Sequence, residues 1–141
     1  MRYWDSSALL PLVVNEPRSI ICRSLRRSDR AVATWALSRT EVLSALRRLV
    51  REGRLREPQF DRAWQHLDEF WDTWTEVDGI AAVRERAERV LRLHVLTAAD
   101  GHQLAAALVL VRDRPRGRGF VTADDALARA ARAEGFDVSF V

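Results

Sequence analysis

Four carboxylates occupy positions from which acidic side chains could act on one ligand: Asp5, Glu41, Asp100 and Asp124. Asp5 directly follows Tyr3 and Trp4. A carboxylate at an apolar strand end is ordinarily paired or bound to metal, because burying a lone charge is costly. Glu41 comes three residues after Ser38, Asp100 opens a helical pattern after Thr97-Ala98, and Asp124 follows the run Phe120-Val121-Thr122. An acid at a helix start also caps free amides and suits the helix dipole, and that reading fits Glu41, Asp100 and Asp124 taken singly. Taken together, carboxylates converging on one point repel each other, and a cation relieves the repulsion. Hard oxygen donors suit Mg2+ or Mn2+. Such an ion activates water and polarises a phosphoryl oxygen, so the predicted chemistry is phosphodiester hydrolysis.

The elements that must position these acids follow from hydrophobic periodicity and turn residues. Apolar runs alternate with helical patterns, which predicts an α/β fold with a central, mostly parallel sheet. Strands are expected at Arg2–Asp5, Ala31–Thr34, Thr73–Val77, Gly119–Thr122 and Val138–Phe140. Ser6 or Ser7 is expected to cap the first helix, with Pro11 early enough to be tolerated. A second helix is expected over Pro17 to Arg27. Ser38 and Glu41 have the spacing of a capping box for a third helix, which runs to about Arg51 and stops at Gly53. Pro58 opens a helix whose Phe60, Trp64, Leu67, Trp71 and Trp74 make one apolar stripe, suited to core or interface packing. Further helices are expected over Ile80–Leu93, Asp100 to about Arg112, and from Asp124 or Asp125 through Ala133, with Gly135 as the stop. In a parallel sheet the four acids fall at the carboxyl ends of strands and the starts of the following helices, the edge where ligands bind.

Composition sets limits on function. The 141 residues, 48% hydrophobic and 30% charged, suit one globular domain spanning 1–141. The longest apolar run, Leu104–Val111, is far short of the roughly 20 residues of a membrane span. No signal-peptide pattern opens the chain, which predicts a cytoplasmic location. Cys22 is the single cysteine, so neither an internal disulfide nor a zinc site can form around it, and a small core hydrophobe is the expected role. All 23 basic residues are Arg, and the net charge is +3. That balance is compatible with a nucleic-acid partner, since Arg grips phosphate as a bidentate fork. Of two other phosphate-processing classes, one fits poorly and one is excluded. A haloacid-dehalogenase-type phosphatase needs a second Asp where Ser7 stands, and a response-regulator receiver needs a Lys that the chain lacks.

Four segments, in order, resemble the PIN-domain fold and in particular the VapC-type toxins of bacterial toxin–antitoxin pairs. They are Tyr3-Trp-Asp5-Ser-Ser7-Ala-Leu9, Ser38-Arg-Thr-Glu41-Val-Leu-Ser-Ala-Leu46, Ala99-Asp100-Gly-His-Gln-Leu-Ala-Ala-Ala-Leu108 and Phe120-Val-Thr122-Ala-Asp124. The resemblance covers nearly the whole chain. It implies a three-layer PIN-like fold of about five short strands, and an endoribonuclease using Mg2+, with Mn2+ as the alternative. In that scheme a metal-activated water cuts RNA. Asp5 and Asp100 are the leading metal ligands, Glu41 and Asp124 complete the pocket, and Ser7 and Thr122 supply supporting hydroxyls. Asp125 is the alternative to Asp124 by position, and Glu16 matches a further acid. The family commonly carries Asp-Ala where this chain has Asp100-Gly101. The resemblance also implies a cognate VapB-type antitoxin and a homodimer, for which the Trp-rich stripe could supply an interface. Arg39 and the Arg112–Arg118 loop are candidate RNA contacts. A catalytically weak PIN scaffold that binds RNA or an antitoxin, and another Mg2+-dependent phosphohydrolase, are the alternative readings.

Overall fold

A computed structural model describes all residues from Met1 to Val141. The element order is β1 (Arg2–Trp4), α1 (Ser6–Val13), α2 (Ser19–Ser28), β2 (Val32–Trp35), α3 (Ser38–Arg51), α4 (Glu57–Trp71), β3 (Thr75–Val77), α5 (Ile80–Leu93), α6 (Ala98–Leu110), β4 (Gly119–Thr122), α7 (Asp125–Glu134) and β5 (Asp137–Phe140). The five strands form one sheet in the order β3-β2-β1-β4-β5. Every pairing is parallel. The chain builds outward from β1 to β3, then returns to the other side of β1 to lay down β4 and β5. The order therefore switches between β1 and β4, and the crevice beyond their carboxyl ends is where an α/β sheet receives ligands.

Side chains alternate across the sheet, so each strand feeds two cores. Tyr3 and Phe120 face α5, α6 and α7, with Leu104, Leu108, Val90 and Leu127 around them. Their rings stack at 5.2 Å. Trp4 and Val121 face the opposite way, onto Leu9, Leu46 and Leu67 of α1, α3 and α4 and Cys22 of α2. Helices on both faces of the sheet make the three-layer PIN-like architecture expected from the alternating pattern. No single helix is long and apolar enough to cross a membrane.

Several local details differ from the sequence expectations. The cap of α1 is Asp5 itself, whose carboxylate accepts the Ser7 amide at 3.3 Å, rather than Ser6 or Ser7. Pro11 lies in the second turn of α1 rather than near its start. The ring removes the bond residue 11 would give to the Ser7 carbonyl, and the helix ends two residues later. Ser38 caps nothing: Leu37 holds the cap position of α3, without a side-chain bond. The Ser38 hydroxyl is wholly buried and is used across the core instead. The expected stripe is split: on α4, Leu67 is buried while Phe60, Trp64 and Trp71 stay half-exposed, and Trp74, also half-exposed, lies in the turn beyond the helix. Gly101 has a steric reason to depart from the family's Ala, since a Cβ there would stand 2.7 Å from Leu91 Cδ2 of α5.

Candidate active site

Asp5 leaves β1 toward the crevice. Its amide donates to the Val121 carbonyl at 3.1 Å, so the residue bridges the two central strands. Its side chain is only 2% exposed. Oδ1 accepts the Ser7 hydroxyl at 2.8 Å. That Ser7 oxygen accepts the Ala123 amide at 2.9 Å and lies 3.4 Å from Thr122 Oγ1. Thr122 Oγ1 accepts the Asp124 amide at 3.0 Å, and Asp124 Oδ1 accepts the Leu127 amide at 2.7 Å, capping α7. Two hydroxyls thus stitch the start of α1 to the β4–α7 turn. Burial pushes the Asp5 carboxyl up to about 7, while bonds from Ser7, Thr122 and the Ala8 amide act in the opposite direction without prevailing.

Glu41 sits in the first turn of α3. Its Oε2 accepts the Ser6 hydroxyl at 2.5 Å and Gln103 Nε2 at 3.0 Å. Gln103, on α6, is 1% exposed. Its amide nitrogen also donates to Ser38 Oγ at 2.9 Å, and its oxygen accepts the Tyr3 hydroxyl at 2.6 Å. Burial holds the Tyr3 hydroxyl well above its ordinary pKa, and the charges of Asp5 and Glu41 push it the same way. Tyr3 therefore stays a donor. It fixes which end of the Gln103 amide is oxygen and turns the NH2 group toward Ser38 and Glu41. Thr34 completes the network, its hydroxyl 2.8 Å from both the Trp4 carbonyl and Ser38 Oγ.

Above this layer runs a groove with a volume of about 520 Å³ between α1 and α3, lined by Glu41, Asp124, Ser6, Ser7 and Glu16 among others. Asp5 lies beneath it, reached through Ser7. Asp100 is not part of the groove lining. Its carboxylate accepts the Thr97 hydroxyl at 2.6 Å, while its amide donates to Thr97 Oγ1 at 3.2 Å. It stands one turn before Gln103 on the same side of α6. Asp125, the alternative fourth acid, is turned away, exposed and ion-paired to Arg129; Asp124 caps α7. No group of three or more His, Cys, Asp or Glu side chains has the spacing to hold a metal ion directly. The donor set at the crevice is all oxygen, and Asp5 is a buried carboxylate whose charge the protein does not fully compensate. Both features fit a hydrated hard cation that takes one or two carboxylates and keeps water for its other ligands.

No family model matches the chain. Over 108 residues, 77% of this chain, it is 31% identical to ribonuclease VapC45 of Mycobacterium tuberculosis strain CDC 1551 / Oshkosh, with 75% of that relative covered. Ribonuclease VapC49 of Mycobacterium tuberculosis strain H37Rv gives the same values. The chain belongs to the VapC family. Against that family identity, the cations proposed from sequence fall in the wrong places. Arg39 is ion-paired to Asp68 and stacked over Trp64 at 4.6 Å and Trp71 at 5.7 Å. It is tied down by α4, so it serves α3–α4 packing. Arg112, Arg114 and Arg118 surround a separate cavity of about 330 Å³ at the start of β4, the opposite edge of the sheet from the acids. Cys22 is buried, and its thiol is pushed up to about 11, as befits a core residue. The cations that do line this VapC-family groove are Arg18, Arg48 and Arg54. Arg48 was legible in principle, seven residues after Glu41 and so on the same helix face. Gln103 was legible as a polar residue opening the otherwise apolar run Leu104–Val111.

Proposed function

We propose that the protein is a Mg2+-dependent endoribonuclease, the toxin of a VapBC-type pair, acting on RNA in the cytoplasm and held in check by a VapB-type antitoxin. The observation that carries this reading is the buried, under-compensated Asp5 at the strand-order switch, with Glu41 and Asp124 on the groove above it. Two relatives named as ribonucleases support it. Asp5, with Glu41 or Asp124 through water, would hold the cation, and Asp100 would reach it from α6. When bound, Mg2+ or Mn2+ offsets charge on the phosphoryl oxygens and favours ionisation of water.

The chain's own residues supply positioning and proton handling. Ser7 and Thr122 fix the Asp5 carboxylate, and Ser6 and Gln103 hold one oxygen of Glu41, leaving the other for the ligand. Asp124 keeps one oxygen on the α7 amide and presents the second to the groove, where it orients the attacking water and takes its proton. Homodimerisation through the half-exposed aromatic face of α4 is part of the proposal. The decisive experiment measures cleavage of cellular RNA by purified protein with Mg2+, Mn2+ or EDTA, beside Asp5→Asn and Asp100→Asn. Metal-dependent cutting lost in both variants is expected. Cutting that survives EDTA or both substitutions would sink the reading. The scaffold reading draws on one observation, the engagement of Asp100 by Thr97 away from the groove; it predicts RNA or antitoxin binding with no cleavage in any metal.

A further inference from the structure

The cavity at the amino edge of the sheet carries charge of one sign. Arg112, Arg114 and Arg118 line it, with Leu110, Val111 and Tyr3 as its apolar part. No acid lines it. The three arginines are exposed, and none has a hydrogen-bond or ion-pair partner for its guanidinium. Acids of the same edge are drawn off or stand apart. Asp113 lies between Arg112 and Arg114 in the chain but pairs with Arg86 of α5 at 2.5 Å. Asp29 is taken by the N-terminal ammonium at 2.7 Å. Asp137, level with Gly119 in the sheet register, makes no ion pair. The backbone enforces this division. Arg112 and Asp113 both sit in the left-handed region, at φ 51° and 56°, where residues other than Gly are uncommon. The Asp113 amide donates to the Leu108 carbonyl at 2.9 Å, closing α6. The turn sends Asp113 back to α5 and leaves its two arginine neighbours at the cavity.

We infer that this cavity binds a nucleoside monophosphate, its phosphate on the arginines and its base against Leu110 and Val111. Three guanidiniums around one space repel each other, and a bound anion relieves the repulsion. A phosphate monoester brings a charge of about −1.5 to −2 at pH 7 and three acceptor oxygens. Two arginine forks match those oxygens as bidentate contacts. A third guanidinium can lie flat on an aromatic base. The cavity volume of about 330 Å³ stands at the small end of the roughly 300–1,000 Å³ of ligand cavities, which suits one nucleotide. A sugar phosphate would set its hydroxyls against Leu110 and Val111 without partners, at a cost in desolvation. The site lies at the sheet edge opposite the acids and does not depend on the nuclease reading.

The test is isothermal titration calorimetry in EDTA, with adenosine 5′-monophosphate, inorganic phosphate and adenosine as separate titrants. Wild-type protein binds the monophosphate about 10-fold more tightly than phosphate, through burial of the base, and gives no measurable heat with adenosine. Each of Arg112→Gln, Arg114→Gln and Arg118→Gln weakens binding of the monophosphate by about 10-fold, and the triple variant abolishes it. These side chains are solvated and unpaired, so the triple variant keeps the wild-type thermal midpoint, which separates lost binding from a lost fold. The triple variant Arg18→Gln, Arg48→Gln, Arg54→Gln, in the groove at the other edge, binds the monophosphate as wild type does. Unchanged binding in the Arg112, Arg114 and Arg118 triple variant overturns the inference, and so do equal affinities for the monophosphate and phosphate. A short single-stranded RNA that binds more tightly than the monophosphate, and loses that binding in the same triple variant, assigns the cavity to a nucleic-acid strand and also overturns it. No arm reads cleavage, so a failed titration leaves the nuclease reading intact, and a failed cleavage assay leaves this inference intact.

Discussion

The two edges of the sheet are built on opposite terms. At the carboxyl edge, Asp5, Thr34, Ser38, Gln103 and Thr122 are all buried, and each has a hydrogen-bond partner: Ser7 for Asp5, Ser38 for Thr34 and Gln103, and the Asp124 amide for Thr122. At the amino edge the polar groups face water. The N-terminal ammonium pairs with Asp29 at 2.7 Å, Arg2 reaches the Leu25 carbonyl and Ser28 hydroxyl at 3.0 Å, and the Arg112–Arg118 loop is solvated. Buried polar groups are costly unless every partner is supplied. A fold that needed only stability would fill the carboxyl edge with apolar side chains, as it does the cores above and below. Concentrating desolvated polar atoms there makes sense for a site whose groups must hold one geometry, while the amino edge can be altered at little cost.

The sharpest break in this contrast is Asp5→Asn. Cleavage should fall by at least about 100-fold in kcat. The same variant should be more stable than wild type in EDTA at pH 7. The folded Asp5 carboxyl titrates at about 7 against an ordinary 3.8. Because the folded form holds this proton more tightly, the contribution of Asp5 to stability is full below about pH 4 and is lost as pH rises toward 7. The gap sets an upper bound of about 4 kcal/mol, with the realised gain smaller. Urea melts of both proteins in EDTA at pH 5 and pH 8 check it. An Asn variant that is less stable at both pH values would show that the carboxylate is already compensated.

Gln103→Leu comes next. It strands the Tyr3 hydroxyl, leaves Ser38 with Thr34 alone and Glu41 with Ser6 alone, so stability should drop by about 1–3 kcal/mol. Displacing Glu41 should lower kcat by about 10- to 100-fold beyond that. Tyr3→Phe removes only the orienting donor, at a cost of about 1 kcal/mol. Measuring kcat and the unfolding midpoint separates placement of Glu41 from general weakening of the core. Equal kcat in Gln103→Leu and wild type would reduce the network to a structural one.

These predictions depend on residues that were unevenly legible. The parallel sheet and its helices follow from apolar periodicity, and Asp5 followed from its place after Tyr3 and Trp4, because burial of a charge is a strong local signal. Gly119–Thr122 and Ile80–Leu93 fall where the pattern puts them. Caps were misassigned because Ser, Thr and Asp compete for the same amides. Only the course of the chain shows that Asp5, not Ser6, faces inward at the cap, and that the Ser38 hydroxyl turns to α6. Gln103 was missed because its partners come from β1 and α3, far away in sequence. The cations were misplaced for the same reason: Arg39 adjoins Glu41 in sequence yet faces α4, whereas Arg48 shares its face.

Two smaller effects sharpen the comparison. Gly101→Ala should destabilise the α5–α6 contact despite the better helix propensity of Ala, and pairing it with Leu91→Ala should recover part of that loss, as judged by thermal midpoints in a double-mutant cycle. At the amino edge, Asp29→Asn should cost less than about 1 kcal/mol, since the pair is open to solvent and screened by salt. The bond to the N-terminal ammonium holds the Asp29 carboxyl below its usual range, so this small contribution is present at neutral pH and fades as pH falls through that lowered value. Cleavage should not change; a loss of activity there would show that the two edges are coupled.

Gln103 is 100 residues from Tyr3, and Thr122 is 115 from Ser7, yet the centre needs both contacts. A polypeptide emerging from the ribosome carries Asp5 and Glu41 early but has neither α6 to brace Glu41 nor β4 to close over Asp5. The contacts that hold Asp5 and Glu41 in place are therefore complete only once almost the whole chain has joined the sheet and its helices.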